Sequence, residues 1–323
     1  MALLLLEADV HRLLSMDEAV AAVEAAFSSV ATGRAANFPR QRSTHPAVTL
    51  NVLAAISEEL DAAVVKSYPV VRRDVTVGSS FTVLVYRVST GVLDGILEAR
   101  MLGQIRTGAA SAVAAKYMAR PDSRTMTMFG VGFQAQAQVQ AIAKALPALR
   151  RVSVVGRSLE RAQRFRDDLM ASTSLEVVVV EDVERAVAEA DVVTTATGAR
   201  RPLFDGGWLR PGVHVNAIGS NFAEKQELDA TAVRRAGRIV VDDMEVARIE
   251  SGDLITAEAQ GALDWGSVRP LSDIVGGLAP GRASSEEITL FESQGVALED
   301  LAVACRVLER ARQRGIGIEL PIR

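Results

Sequence analysis

Lys66 lies inside an apolar run, residues 62–68, in the first third of the chain. The run has the character of a strand, where a charged side chain is unfavourable unless it is paired. Burial lowers the pKa of a lysine, and such a lysine can act as the acid beside a keto or imino carbon that receives hydride. The alternative is a structural lysine at the surface end of a strand.

Three arginines of the same part of the chain could bind a carboxylate. Arg40 and Arg42 follow Pro39 in a predicted loop, and Arg106 stands at the start of a predicted helix that is rich in small residues. A carboxylate is bound well by a guanidinium fork or by several cations. Taken alone, Arg106 could equally form a salt bridge at the helix terminus.

A glycine turn follows at residues 130–135, with the sequence GVGFQA after the apolar run TMTMF. An apolar strand, a GxGxxA turn and a helix are the context of a dinucleotide-binding site. Gly130 permits the tight turn, Gly132 lets the backbone approach a pyrophosphate, and Ala135 lets the helix pack closely. The N–H groups of the helix terminus then attract phosphate. Glycine turns between a strand and a helix also occur for structural reasons alone.

The end of the next strand bears on the choice of nucleotide. An NAD-selective site has an acidic residue about 20 positions after the turn, to bind the ribose 2′-hydroxyl. This chain has Arg157 and Ser158 there. A guanidinium suits a 2′-phosphate, so NADP(H) is favoured and NAD(H) remains possible. Otherwise Arg157 is a solvated residue and Ser158 caps the following helix.

The elements that carry Lys66 and Arg106 form a mostly β region. Ser15 and Glu18 form a capping box at the start of a helix that ends at Gly33. Leucines at 3–6 predict a first strand, and further strands are predicted over residues 48–56, 62–68, 80–88 and 93–97. A long helix over 101–118 closes this region, and Pro121-Asp122 breaks it.

From residue 125 onward, strands alternate with helices. Strands are predicted over 125–129, 151–155, 176–180, 192–196, 213–218 and 238–241, and helices over 134–145, 159–170, 183–190 and 229–235. This alternation predicts an α/β fold, a doubly wound parallel sheet of the Rossmann type beside a mixed α+β domain. A last helix over 298–313 lies outside the alternation and could pack on the first domain or on a partner subunit.

Composition excludes several functional classes. The net charge of −4 argues against nucleic-acid binding, and no apolar run is long enough to span a membrane. One cysteine, Cys305, and three scattered histidines predict no disulfide within the chain and no metal site. Cys305 is expected to be a small buried apolar residue. These features predict a cytoplasmic protein.

Several motifs together resemble the ornithine cyclodeaminase/mu-crystallin family. They occur in the family's order over nearly the whole chain: Lys66, RTGAA at 106–110, GVGFQA at 130–135, GVHVNAIGSN at 212–221, KQELD at 225–229, EITLFESQG at 287–295 and LEDL at 298–301. The resemblance implies a Rossmann domain over residues 119–296. It also implies a substrate-binding and dimerisation domain over residues 1–118 plus 297–323, and hence a homodimer.

The resemblance also implies roles for individual residues. Arg42 and Arg106 would bind the substrate carboxylate, and Lys66 would act near the reacting carbonyl or imine; choosing Arg42 over Arg40 rests on spacing to Lys66. Asn221 is the fourth candidate catalytic residue. The candidate cofactor-binding residues are Thr107, Gly130, Gly132, Phe133, Gln134, Ala135, Arg157, Ser158, Thr195, Ala196, Thr197, Asn216, Ile218, Ser293 and Gly295.

Three departures separate this chain from the family's cyclodeaminases. Those enzymes are expected to have an Asp at the position of Asn221, where it would activate the δ-amine, and an amide cannot accept a proton at neutral pH. Residues 50–55 lack the acidic residue and the Met-Pro pair of the cyclodeaminases. Arg157-Ser158 replaces their Asp. All three differences favour the family's reductases and dehydrogenases.

The leading hypothesis is therefore an NAD(P)H-dependent reductase that converts a small α-imino or α-keto acid to an L-amino acid. Ketimine, pyrroline-2-carboxylate and alanine-dehydrogenase-like reactions belong to this class. The first alternative is an ornithine cyclodeaminase, a lyase that recycles NAD internally. The second is a cofactor-regulated protein that binds a small ligand.

Overall fold

The computed structural model describes residues 1–71 and 79–322, and the chain divides into two compact units. The first comprises Met1–Thr107 with Val296–Arg323, and the second comprises Gly108–Gly295. The boundary falls inside the helix that was predicted to close the first domain at residue 118. Residue 323 of the predicted first domain lies outside the described residues.

The elements from residue 1 to residue 118 are mostly strands. They are β1 (Ala2–Leu5), α1 (Glu7–Leu13), α2 (Met16–Ala31), β2 (Ala35–His45), β3 (Val48–Ser57), β4 (Ala62–Val71), β5 (Thr82–Arg87), β6 (Leu93–Glu98) and α3 (Arg100–Met118). The capping box of α2 is confirmed, because Ser15 Oγ accepts from Glu18 N at 3.3 Å. Helix α1 was not predicted.

The predicted loop around Arg40 and Arg42 is wrong, because both residues lie in strand β2. The pairing of β2 with β3 shifts between Phe38 and Gln41, as at a β-bulge. A bulge tolerates Pro39, which has no N–H to donate to the ladder. The proline therefore marks an irregularity in a strand rather than a loop.

The second part of the chain follows the predicted alternation. Its elements are β7 (Thr125–Phe129), α4 (Phe133–Ala145), β8 (Arg151–Val155), α5 (Leu159–Ser172), β9 (Glu176–Val179), α6 (Val183–Ala188), β10 (Val192–Thr195), β11 (His214–Ala217), α7 (Ala230–Arg235), β12 (Arg238–Val241), α8 (Met244–Glu250), α9 (Gly252–Ala259), β13 (Arg269–Pro270), α10 (Leu271–Val275) and β14 (Thr289–Glu292). The chain ends with α11 (Ala297–Arg314) and β15 (Ile318–Leu320), which belong to the first unit.

The second unit contains a sheet in the order β13-β12-β14-β11-β10-β7-β8-β9, and all its paired strands are parallel. Apolar clusters cover it; one includes Met128, Val139 and Val154, and the other includes Phe129, Val193 and Leu290. The predicted doubly wound α/β fold is confirmed. The strand order reverses between β7 and β10, and ligands bind at such a switch point.

The first unit contains a mixed sheet in the order β15-β1-β6-β5-β4-β3-β2, in which the β1–β6 pair is parallel and the others are antiparallel. Helix α11 packs against α2 and against strands β2, β3, β4 and β5. Its apolar face includes Leu301, Val307 and Leu308. Helix α11 therefore packs back on the first domain, one of the two predicted placements. Within residues 1–71 and 79–322, the helices are too short or too polar to cross a membrane.

Candidate active site

Lys66 forms a buried ion pair with Asp300 in the first unit. It lies in the middle of β4, opposite Leu53 of β3 and Val83 of β5, and only 3% of the residue is exposed. Its Nζ is 2.7 Å from Oδ1 of Asp300, which lies on α11 and is fully buried. Burial lowers the pKa of Lys66 to about 8, although the charge of Asp300 opposes this shift.

Arg106 of α3 joins the same cluster. Its Nη1 donates to Oε2 of Glu299 at 2.5 Å, and its Nε lies 3.3 Å from Oδ1 of Asp300. Burial disfavours the charge of Arg106, but Asp300 and Glu299 overcome that effect and raise its pKa above the ordinary value. Two cations and two carboxylates therefore balance within a buried site.

Helix α3 approaches Lys66 closely at Gly103. A Cβ atom at this position would lie 3.3 Å from Lys66 Nζ, so a larger residue would crowd the ammonium group. One turn later, the hydroxyl of Thr107 donates to the carbonyl of Gly103 at 2.7 Å. Thr107, predicted to contact the cofactor, is thus a buried residue at the end of the first unit.

The structure bears on which of Arg40 and Arg42 is the better candidate to bind the substrate carboxylate. Arg42 pairs with Asn51 across β2 and β3, and its Nε donates to Asn51 Oδ1 at 3.3 Å. Arg40 lies in the irregular stretch of β2, and its charge is among those that lower the pKa of Lys66. Spacing in the sequence favoured Arg42 as the arginine that binds the substrate carboxylate. The charge that Arg40 places near Lys66 favours Arg40 for that role instead.

The glycine turn of the second unit has the geometry that its sequence predicts. Gly130 has φ +103°, and a Cβ there would lie 2.6 Å from Ala196 O, so both conformation and space require glycine. Gly132 caps α4, and a Cβ there would meet nothing within 4 Å. Ala135 is fully buried at the start of α4, whereas Phe133 is exposed and Gln134 is half-buried.

A cavity of about 560 Å³ opens beside this turn, at the carboxyl ends of β7, β8 and β10. Its lining includes Gly130, Gly132, Arg157, Ser158, Arg161, Ala196 and Thr197. Ser158 also caps α5, because its Oγ accepts from Arg161 N at 3.4 Å. Arg161 was not among the predicted residues. Its position in the first turn of α5, close to Arg157, is the signal in the sequence that could have indicated it. The open space at Gly132, the helix terminus and the volume fit a dinucleotide.

The remaining candidates of the second unit lie at the ends of the central strands. Asn216 and Ile218 are buried at β11, and Thr195 is buried at the end of β10. Ser293 Oγ and Gly295 N both donate to Asp242 Oδ2, at 2.9 Å and 2.7 Å. Burial raises the pKa of Asp242 to about 6. Asp242 was not among the predicted residues.

The side chain of Asn221 accepts a hydrogen bond from a lysine and does not provide a general base. Its Oδ1 accepts from Lys225 Nζ at 2.7 Å, and the same Nζ donates to Gly219 O at 3.3 Å. The amide of Asn221 has no useful basicity, and the neighbouring cation would weaken the basicity of any carboxylate placed there.

Two further features of the sequence are its possible metal ligands and its cysteine, Cys305. Across the described ranges, His, Cys, Asp and Glu side chains form no cluster that could hold a metal ion. Cys305 was expected to be buried, but the residue is half-buried. Desolvation still raises the pKa of its thiol to about 12, so the thiolate that a nucleophile requires is rare at neutral pH.

Together, the Rossmann-type unit with its glycine turn and the unit with buried Lys66 define a two-unit protein of the nicotinamide-dependent oxidoreductase class. A sequence model of the ornithine cyclodeaminase/mu-crystallin family matches residues 1–315. The chain belongs to this family, which confirms the resemblance seen in the sequence.

The relatives of this chain include reductases and dehydrogenases, and others are named cyclodeaminases. The chain is 35% identical to a Delta(1)-pyrroline-2-carboxylate reductase of Bacillus cereus over 273 residues, 83% of each chain. The structure of the Thermococcus litoralis Delta(1)-pyrroline-2-carboxylate reductase, in complex with NADH and L-proline, matches with a TM-score of 0.93, 31% identity and coverage of 98% of this chain and 100% of that one. An archaeal alanine dehydrogenase dimer with bound NAD matches with a TM-score of 0.92, 31% identity and coverage of 99% and 98%.

Proposed function

We propose that this protein is an NAD(P)H-dependent reductase that converts a small α-imino or α-keto acid to an L-amino acid. Pyrroline-2-carboxylate, the substrate named for two relatives, is the first candidate. The observation that carries the proposal is the buried ion pair of Lys66 with Asp300. The pKa of Lys66, about 8, suits proton transfer near neutral pH.

The cations of the first unit bind the substrate carboxylate in this proposal. The ion pairs of Arg106 use Nη1 and Nε, so Nη2 is the nitrogen through which Arg106 would bind the substrate. Arg40 and Arg42 supply further positive charge from β2. A carboxylate held by several guanidinium groups fixes the position of the neighbouring α-carbon.

Lys66 supplies the proton that the reduction requires. When the α-carbon of the imine accepts hydride, the C=N double bond becomes a single bond and the nitrogen takes a proton. The Lys66 ammonium donates that proton. A keto acid must first condense with ammonia or an amine and lose water, and Lys66 would polarise its carbonyl oxygen in that step; the resulting imine is then reduced in the same way. At pH 7 a lysine with a pKa of about 8 is mostly protonated and is a stronger acid than an ordinary lysine.

The second unit binds the nicotinamide cofactor, which supplies the hydride when bound. The turn at Gly130, Gly132 and Ala135 would hold the pyrophosphate, with Phe133 and Gln134 beside it. Thr195, Ala196, Thr197, Asn216, Ile218, Ser293 and Gly295 complete the proposed cofactor site of this unit.

NADP(H) is the proposed cofactor. Arg157 and Arg161 line the cavity at the end of β8 together with Ser158. Two guanidinium groups and a hydroxyl suit a 2′-phosphate better than a 2′-hydroxyl. Two of the related structures hold NADH or NAD, so a direct comparison of both cofactors is needed.

A homodimer is also proposed, through the sheet face of the first unit that faces away from α11. Side chains alternate along β3, and Leu53 and Ala55 are buried on one face while Leu50 and Ile56 are exposed on the other. An open apolar sheet face favours association. Light scattering after size exclusion should give twice the mass of the chain; the mass of one chain would contradict the dimer.

A second candidate function is a cyclodeaminase, which the family name includes. The contact between Asn221 and Lys225 argues against it, because no base stands at that position. A cyclodeaminase would form proline and ammonia from ornithine with no net change of the cofactor.

The test is oxidation of NADPH and of NADH with pyrroline-2-carboxylate, piperideine-2-carboxylate, and pyruvate with ammonia or methylamine. Turnover of at least one substrate is expected. Cofactor binding without turnover of any of them would contradict the proposed function, and a purely ligand-binding protein would give that result.

A further inference from the structure

The carboxylate of Glu227 is fully buried and accepts four hydrogen bonds in the second unit. Oε1 accepts from the N–H and the hydroxyl of Thr197, both at 2.6 Å. Oε2 accepts from Thr195 Oγ1 at 2.8 Å and from Gly219 N at 2.7 Å. Thr195 ends β10, and Gly219 follows β11, so one carboxylate joins the ends of two neighbouring strands.

Glu227 is itself held in place by α9. Its N–H donates to Oδ1 of Asp253 at 2.7 Å, and Leu228 N donates to the same oxygen at 3.0 Å. Asp253 N in turn donates to Ser220 Oγ at 3.0 Å. The segment from Gly219 to Glu227 is therefore bonded at both of its ends.

This arrangement fixes the orientation of Thr197, which lines the cavity. Both polar groups of Thr197 donate to Glu227, and its Cγ2 methyl faces the glycine turn: it would lie 3.1 Å from a Cβ atom built on Gly130. The methyl group is thus the side-chain atom of Thr197 nearest to Gly130. The carboxylate itself is not among the groups that line the cavity.

Four donors face the carboxylate of Glu227, an arrangement that fits its ionised form. Burial raises its pKa, and the hydrogen bonds from Thr197 and Thr195 oppose that shift. A carboxylate can accept all four bonds, whereas a glutamine amide has one acceptor oxygen and would place an NH₂ group against donors. A neutral isostere therefore cannot hold Thr195, Thr197 and Gly219 together.

We propose that Glu227 is a positioning residue for the cofactor: it turns the polar groups of Thr197 away from the cavity and presents the methyl group to the bound dinucleotide. The inference rests on the proposed function only in requiring that the cavity bind a nicotinamide cofactor. It needs no particular imino acid substrate.

Equilibrium titration of the purified chain with NADPH and NADH tests the proposal, with thermal unfolding as a check on folding. Glu227→Gln should raise the Kd of both cofactors about tenfold, because a buried charge-assisted network is broken. The KM of the imino acid should stay within about twofold, since its proposed ligands lie in the other unit. Glu184→Gln, an exposed carboxylate of the same unit, is the matched control and should bind as the original chain does.

A variant of Thr197 tests the methyl contact directly. Thr197→Ser keeps the hydroxyl and its hydrogen bond to Glu227 but lacks the methyl group, so it should bind both cofactors less well than the original chain does. If Thr197→Ser binds both cofactors as the original chain does, the methyl group does not contact the dinucleotide and the proposal is wrong. Thr197→Ser decides the question even if Glu227→Gln does not fold.

The two proposals fail in different ways. If the chain binds cofactor but reduces no imino or keto acid, the proposed function fails while the binding data still test Glu227. If the chain reduces its substrate and Glu227→Gln binds cofactor normally, the role of Glu227 alone is refuted.

Discussion

Lys66 Nζ lies 2.7 Å from Asp300 Oδ1, although the two residues are 234 positions apart in the sequence. The pair joins the middle of β4 to the first turn of α11. Burial and the charge of Asp300 act on the pKa of Lys66 in opposite directions, and burial prevails. Asp300 therefore limits how far the pKa of Lys66 falls below its ordinary value.

Asp300→Asn should shift the pH dependence of the reaction. The substitution removes a charge that raises the pKa of Lys66, so the ammonium form is lost at a lower pH. Because the proposed proton donor must be protonated, the alkaline limb of the kcat profile should move to lower pH. Glu309→Gln on the same helix is exposed and should leave the profile unchanged. If the alkaline limb does not move in Asp300→Asn, the titration of Lys66 does not produce that limb.

Arginine substitutions at the end of β8 should alter the choice of cofactor. Arg157→Ala and Arg161→Ala should each raise the KM of NADPH about tenfold, the effect of losing one charge-assisted hydrogen bond, with little effect on NADH. Arg164→Ala, on α5 and paired with Glu160, is the control. Equal losses for both cofactors would mean that these arginines do not bind a 2′-phosphate.

Asn221→Asp should not convert the chain into an ornithine cyclodeaminase. The new carboxylate would lie beside Lys225 Nζ, 2.7 Å from the present Oδ1, and the cation would hold it in the ionised, weakly basic form. Proline and ammonia formation from ornithine should remain at background in Asn221→Asp. Appearance of that activity would show that the base at residue 221 alone separates the two reactions.

Deprotonation of Asp253 should lower the stability of the fold as the pH rises from about 4 to about 7. Burial raises the pKa of Asp253 from 3.8 to about 7, with the charge of Glu227 adding to the shift. The folded state therefore binds this proton more tightly than the unfolded chain, and the stabilisation is complete below pH 3.8 and lost through about pH 7. Urea unfolding across this range should show the decrease.

The matching variant is Asp253→Asn, which cannot titrate. Its unfolding free energy should vary less with pH between 4 and 7 than that of the original chain. Asp168→Asn, an exposed carboxylate of α5, should retain the original dependence. Identical slopes in Asp253→Asn and the original chain would assign the titration to other groups, Glu292 first among them, since its pKa is also raised by burial and by Asp253.

The elements predicted correctly from the sequence are those whose signal lies in residues close together in the chain. The alternation after residue 125, the capping box at Ser15 and the turn at Gly130 each depend on neighbouring residues, and the structure confirms them. Strand β2 was missed because Pro39 resembles a loop signal and the bulge that accommodates it is formed with β3. Strand β14 was missed because four residues with polar ends carry little periodicity.

The partners of the candidate site residues could not be predicted in the same way. Lys66 was identified as a costly charge in an apolar strand, but nothing near it in the sequence indicates Asp300 or Glu299. Likewise, Glu227 is an ordinary acidic residue in the sequence, and only the folded unit brings it to Thr195 and Thr197. Long-range pairing depends on topology, which local patterns do not contain.

Lys66 is the proposed proton donor of a nicotinamide-dependent imine reduction. The direct measurement is NADPH oxidation with pyrroline-2-carboxylate by the original chain and by Lys66→Met, together with the Kd of NADPH for each. We expect turnover by the original chain, a loss of kcat of about 10²-fold or more in Lys66→Met, and an unchanged Kd. Turnover by Lys66→Met at the original rate would contradict this role of Lys66.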